Sequence, residues 1–158
     1  MEEAIKSDIW ENALLDSLNE LATGMLFLGE PELIKVIDSI PPSIRGAQVA
    51  MISMQECLNI GLSAAQDGCE MLSRALLGME PDEELAVEDI HDAMGEIVNI
   101  VAGGVKRKLI EDIPTLKIGL PVFFEGKMSP NKEASSKFIE VKIDSITVEL
   151  FIMLEKGC

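Results

Sequence analysis

Positive charge is scarce in this chain: 13 Lys and Arg stand against 28 Asp and Glu, giving a formal net charge of −15 over 158 residues. That imbalance excludes nonspecific attraction to DNA, RNA or an anionic membrane surface, so the expected partners are not polyanions. Histidine is nearly absent. With His91 as the sole one, a Ser-His-Asp relay or a His-rich metal site would have to be built entirely around it. Cys57, Cys69 and Cys158 are odd in number and lack CxxC spacing; neither a disulfide framework nor a Cys-rich zinc site is indicated, and reduced thiols in a cytoplasm are the expectation. No apolar run approaches the roughly 20 residues of a membrane span. The opening Met-Glu-Glu also lacks the basic n-region and apolar h-region of a signal peptide, so neither a membrane location nor the usual export is expected.

What is present is a core. A hydrophobic content of 47% is ample for one domain, or for two fused halves sharing an interior. Apolar residues recur at helical spacing over residues 5–27 (Ile5, Ile9, Ala13, Leu14, Leu18, Leu21, Met25, Leu26), with Trp10 as a core anchor. A short β-compatible piece follows at 33–37, and Pro41-Pro42 then breaks the chain. Strands are expected at 48–54 and 57–63 as a hairpin, then a helix at 65–77 stopped by Gly78. Acids at Glu80, Asp82, Glu83 and Glu84 are placed to launch a long helix that runs to about residue 110. Beyond it, 116–124 alternates as a strand with an edge or bulge at Pro121, 125–136 reads as a polar loop, and 139–143 and 148–154 form a hairpin around Asp144-Ser145.

In order, this is a helix and three short strands, a helix, then again a helix and three strands. The expected fold is α+β: a mostly antiparallel sheet with helices packed on it, in a single domain spanning 1–158 and made of two quasi-repeats, about 5–63 and 85–154, linked by helix 65–77. The clearest trace of a repeat is Asp16-x-x-x-Glu20-x-x-Thr23 against Asp92-x-x-x-Glu96-x-x-Asn99.

At about 100° per residue, Ile90, Ala93, Met94, Ile97, Val98, Val101, Val105 and Leu109 fill an arc of roughly 160°, the stripe of a core-facing helix. Asp92, Glu96, Asn99 and Gly103 lie opposite, within roughly 60° of one another. A solvated face alone would favour Lys, Glu, Gln or Ala there. Asn is a poor helix former, and Gly costs roughly 0.8–1 kcal/mol relative to Ala. Gly95 and Gly103 flank the acid and the amide; without side chains they leave room for another macromolecule to lie close while Glu96 and Asn99 project into it. The remaining glycine, Gly104, falls on the apolar side, where it is expected to let helix pack on sheet, and His91 is expected toward the apolar side near the helix start in a structural or capping role. Residues at i and i+3 have β-carbons about 5–6 Å apart, so one partner can meet both. An uncharged amide accepts and donates at once. It can therefore hold a water in line with a phosphoryl group, in a reaction that needs alignment and charge neutralisation above all.

The stretch Asp92-Ala-Met-Gly-Glu96-Ile-Val-Asn99-Ile-Val-Ala-Gly103 resembles the Asp-x-x-x-Glu-x-x-Asn-x-x-x-Gly motif of the CheC/CheX/FliY chemotaxis phosphatases, closest to the CheX type. The likeness extends loosely over residues 10–154. It implies hydrolysis of the aspartyl phosphate on a CheY-like response regulator, with Asn99 orienting the attacking water and Glu96 contacting the regulator's lysine. It also implies Asp92 as support or contact, Gly103 as clearance, and no cofactor on this chain, Mg²⁺ being supplied by the phosphorylated partner. Homodimerisation is implied as well. Where family members of the CheC type carry the acid and amide on both long helices, helix one here offers Glu20 with Thr23, so one active site is expected. Lys106, in the basic cluster Lys106-Arg107-Lys108 and near the polar arc, is a candidate for attracting an acidic regulator; the helix dipole favours cations there in any case. Two rival readings stand beside this one: a non-catalytic module that docks a regulator or other two-component partner, and an enzyme using Asp92 and Glu96 as a carboxylate pair on a small substrate.

Overall fold

A computed structural model describes residues 8–37, 43–53, 56–127 and 136–155. Three helices occur among these residues: α1 (Asp8–Gly24), α2 (Gln66–Leu77) and α3 (Val87–Lys108). The strands are β1 (Glu32–Ile37), β2 (Ser43–Ser53), β3 (Glu56–Ala64), β4 (Lys117–Ile118), β5 (Val122–Lys127), β6 (Ser136–Ile143) and β7 (Ile146–Glu155). They form one seven-stranded sheet in the order β1-β6-β7-β3-β2-β4, with β5 also paired to β2. Every pairing is antiparallel. The hairpins β2-β3 and β6-β7 meet at the centre through β3 and β7. The strand ahead of each hairpin crosses to the other one: β1 joins β6, and β5 joins β2.

Alternation explains the layers. Ala47, Val49 and Met51 on β2, Leu58, Ile60 and Leu62 on β3, Ile139, Val141 and Ile143 on β6, and Val148, Leu150 and Ile152 on β7 all enter one core with Trp10, Leu14, Leu18 and Leu21 of α1, Leu72 of α2 and the apolar arc of α3. The opposite face carries a second, smaller cluster of Phe138, Phe151 and Met153, against which Ile37 and Phe124 pack. Phe151 stacks on Phe138 with centroids 5.4 Å apart. It also lies on Gly61 of β3, where a Cβ would come within 2.2 Å of its ring; only glycine admits the ring there.

Several boundaries move. Helix α1 ends at Gly24 instead of 27, and the chain turns away through Phe27, at φ 54°. Helix α3 begins at Val87 behind Ala86, which provides no side-chain cap. The acidic run 80–84 has nothing apolar to bury and closes only a turn, Glu83 N–H to Glu80 C=O at 3.1 Å. The acids near the positive end of the helix dipole are instead Glu88 and Asp89. The strand expected over 116–124 is split into β4 and β5 at Pro121, which lacks the N–H a ladder needs. Part of the expected polar loop is strand, since β5 runs to Lys127, and the rest of that loop up to residue 135 lies outside the described residues. Cys57 is disulfide-bonded, contrary to the expectation of reduced thiols, and Cys69 is a buried free thiol.

Candidate functional site

Helix α3 buries Ile90, Ala93, Met94, Ile97, Val98, Val101 and Val105, which fixes its rotation on the sheet. The opposite side is thereby forced outward, and Asp92, Glu96 and Asn99 are all exposed. Among the described residues, no hydrogen bond or ion pair involves the Glu96 or Asn99 side chain. Both groups keep their full capacity for an external partner.

The small and basic positions around them separate into distinct roles. A Cβ added at Gly103 would meet only Arg107 Nη1, at 3.7 Å, so nothing within the described chain requires glycine there. Gly95 is buried and is not the open clearance expected of it. A Cβ on it would stand 3.6 Å from Pro121 Cβ, an ordinary contact distance, so the β4-β5 connection lies beside the helix here without requiring glycine. Gly104 serves a different contact from the expected helix-on-sheet packing: its Cβ would come within 2.6 Å of Ser17 Oγ and 3.0 Å of Ser17 Cβ, so the glycine seats α1 on α3. Lys106 is half-buried in the last turn of α3. His91 is exposed instead of facing the core, and its ring stacks on Phe123 of β5 with centroids 4.0 Å apart.

The related positions on α1 are occupied differently. Glu20 accepts from Lys108 Nζ of α3, and the Thr23 hydroxyl donates to the Asn19 carbonyl at 2.7 Å.

A cavity of about 520 Å³ opens elsewhere, lined by Arg45, Ser63, Glu125, Thr147 and Glu149 among others. Arg45 and Glu125 form an ion pair of 2.8 Å there, and the hydrogen bond from Arg45 holds the Glu125 carboxyl below its ordinary range. Beneath them, burial pushes the Cys69 thiol up to about 11, which keeps it protonated and unreactive near neutrality. None of Asp92, Glu96 and Asn99 lines this cavity, which removes the geometric basis for a small substrate between Asp92 and Glu96 there. Among the described residues no group of three or more His, Cys, Asp and Glu could hold a metal ion, and no helix is long and apolar enough to cross a membrane.

An antiparallel sheet with three helices, the longest presenting an acid and an amide outward, defines the class: an α+β domain whose unspent polar groups sit on a helix surface and not in a pocket. Residues 47–144, more than half of the chain, match the family model described as Chemotaxis phosphatase CheX, and the chain belongs to that family. The crystal structure of CheX from Desulfovibrio desulfuricans is similar at TM-score 0.76 and 18% identity, over 92% of this chain and 99% of that one. CheX from Vibrio vulnificus is similar at TM-score 0.75 and 24% identity, again over 92% and 99%. The CheX-CheY-BeF3-Mg²⁺ complex from Borrelia burgdorferi is similar at TM-score 0.74 and 18% identity, over 93% and 98%. No curated protein matches the sequence.

Proposed function

We propose that this chain is a phosphatase that hydrolyses the aspartyl phosphate of a CheY-like response regulator. The observation that carries the reading is the pair Glu96 and Asn99, exposed, one helical turn apart and without an internal partner among the described residues. Asn99 places its amide to hold the attacking water in line with phosphorus; an anion there would be repelled by the phosphoryl oxygens. Glu96 grips the regulator's lysine and so fixes the water's host relative to the phosphoryl group. Mg²⁺ and the acyl phosphate belong to the regulator, and Asp92, Gly103 and Lys106 contribute contact, clearance and attraction. Membership of the CheX family supports this reading, as does the Borrelia burgdorferi relative solved with CheY, BeF3 and Mg²⁺.

A homodimer is part of the same proposal. The outermost strand β1 supports it by leaving Leu33, Ile34 and Val36 exposed, apolar surface of the kind that a second copy can cover. Sedimentation at micromolar concentration should then give twice the chain mass. For the activity, the test is loss of labelled phosphate from the regulator with and without this protein. Acceleration by the wild-type chain, absent in Asn99→Ala, is expected. Regulator binding with no acceleration would instead leave a non-catalytic docking module.

A further inference from the structure

We propose that the connection between β4 and β5, with Leu120 at its tip, is an apolar docking ledge for the same phosphorylated regulator. It rests on the reading of Glu96 and Asn99 given above and adds where the partner is gripped. Leu120 is 87% exposed and Val122 56% exposed, two neighbouring apolar side chains available for a partner to cover.

The backbone beneath is pinned on both sides. Gly119 N–H donates to the Ala50 carbonyl at 2.8 Å, Phe123 stacks on His91 at 4.0 Å, and between them Pro121 is the residue that a Cβ added at Gly95 would meet, at 3.6 Å. With the backbone at 119 bonded to β2 and the ring at 123 laid on α3, Leu120 and Val122 are left exposed between and beside them. A pinned backbone is already ordered, so docking on it forfeits little conformational freedom.

The anchor also fixes the location. Gly95, on which Pro121 sits, is three residues past Asp92 and four before Asn99, so it neighbours both along one side of α3. A partner engaging Glu96 and Asn99 from outside therefore meets Leu120 on the flank. The chemistry that fits is an apolar patch beside a lysine-bearing phosphoryl site: the apolar part covers Leu120 and Val122, and the cation faces Asp92 and Glu96.

The experiment uses the full chain and a CheY-type regulator loaded with beryllofluoride and Mg²⁺. Leu120→Ser and Leu120→Asp are expected to raise Kd about ten- to hundredfold, as loss of one buried leucine requires, and to leave the saturated dephosphorylation rate unchanged. Asn99→Ala should retain Kd and lose the rate, and Phe27→Asn, at an equally exposed site past the end of α1, should change neither. Wild-type Kd in both Leu120 variants would overturn the ledge. Tight binding by the wild-type chain without acceleration would overturn the catalytic reading while the Leu120 variants still decide the ledge; no binding by the wild-type chain overturns both.

Discussion

Helices α1 and α3 carry an acid, an acid and a polar group at the same spacing, yet they use them in opposite ways. On α1, Glu20 is held by Lys108 and the Thr23 hydroxyl is spent on Asn19, one turn back in its own helix. On α3, Glu96 and Asn99 stand exposed with no partner among the described residues. Sequence spacing alone does not make a site: a threonine can satisfy itself on the preceding turn, as its short side chain often does, whereas the longer amide of Asn99 stays available. The basic last turn of α3 reinforces the difference, because its Lys108 neutralises the acid of α1 and leaves the acids of α3 alone.

The largest effect expected from breaking this contrast is on turnover. Asn99→Ala should lower stimulated dephosphorylation at least about hundredfold, the usual consequence of removing one positioned polar group from a reaction centre, with the circular dichroism spectrum unchanged because the residue is exposed. In that background, Thr23→Asn should restore nothing in the same phosphate-release assay, since Glu20 remains held by Lys108. The two adjacent glycines should separate next. Gly104→Ala forces a methyl against Ser17, an overpacking that costs about 1–3 kcal/mol and lowers the urea midpoint. Gly103→Ala meets only the far end of Arg107, at ordinary contact distance, and should raise that midpoint by the equivalent of up to about 1 kcal/mol, while lowering kcat/KM where the partner needs the clearance. The smallest change is expected of Lys108→Ala: a half-exposed ion pair contributes about 0–1 kcal/mol, so the melting curve should hardly move.

Much of this contrast is visible in the sequence because α3 is amphipathic over its whole length: eight apolar residues fix its rotation and so expose Asp92, Glu96 and Asn99. The hairpin around Asp144-Ser145 is equally legible from alternation, with β6 pairing to β7 from Ser136↔Met153 through Ile143↔Ile146 and Asp144 at the positive φ of the turn. The less visible features depend on contacts between residues far apart in the chain. Gly104 reads as helix-on-sheet packing until Ser17 is placed beside it, and Gly95 reads as open until Pro121 covers it. The second cluster around Phe151 is hidden for a similar reason. On β7 the polar-or-apolar alternation is broken by Phe151 and Met153, and only the pairing with β6 and β3 reveals that both faces of the sheet are apolar there. The acidic run at 80–84 misleads by charge alone, since favourable helix-dipole placement does not make a helix without an apolar face to bury.

The most direct measurement of the central claim is single-turnover loss of the acyl phosphate from the regulator, with Asn99→Ala and Thr23→Ala compared side by side at saturating protein. The expected result is the regulator's own slow rate with Asn99→Ala and the full wild-type rate with Thr23→Ala. Wild-type turnover in Asn99→Ala, or an equal loss in both variants, would contradict the assignment of the work to the outward face of α3.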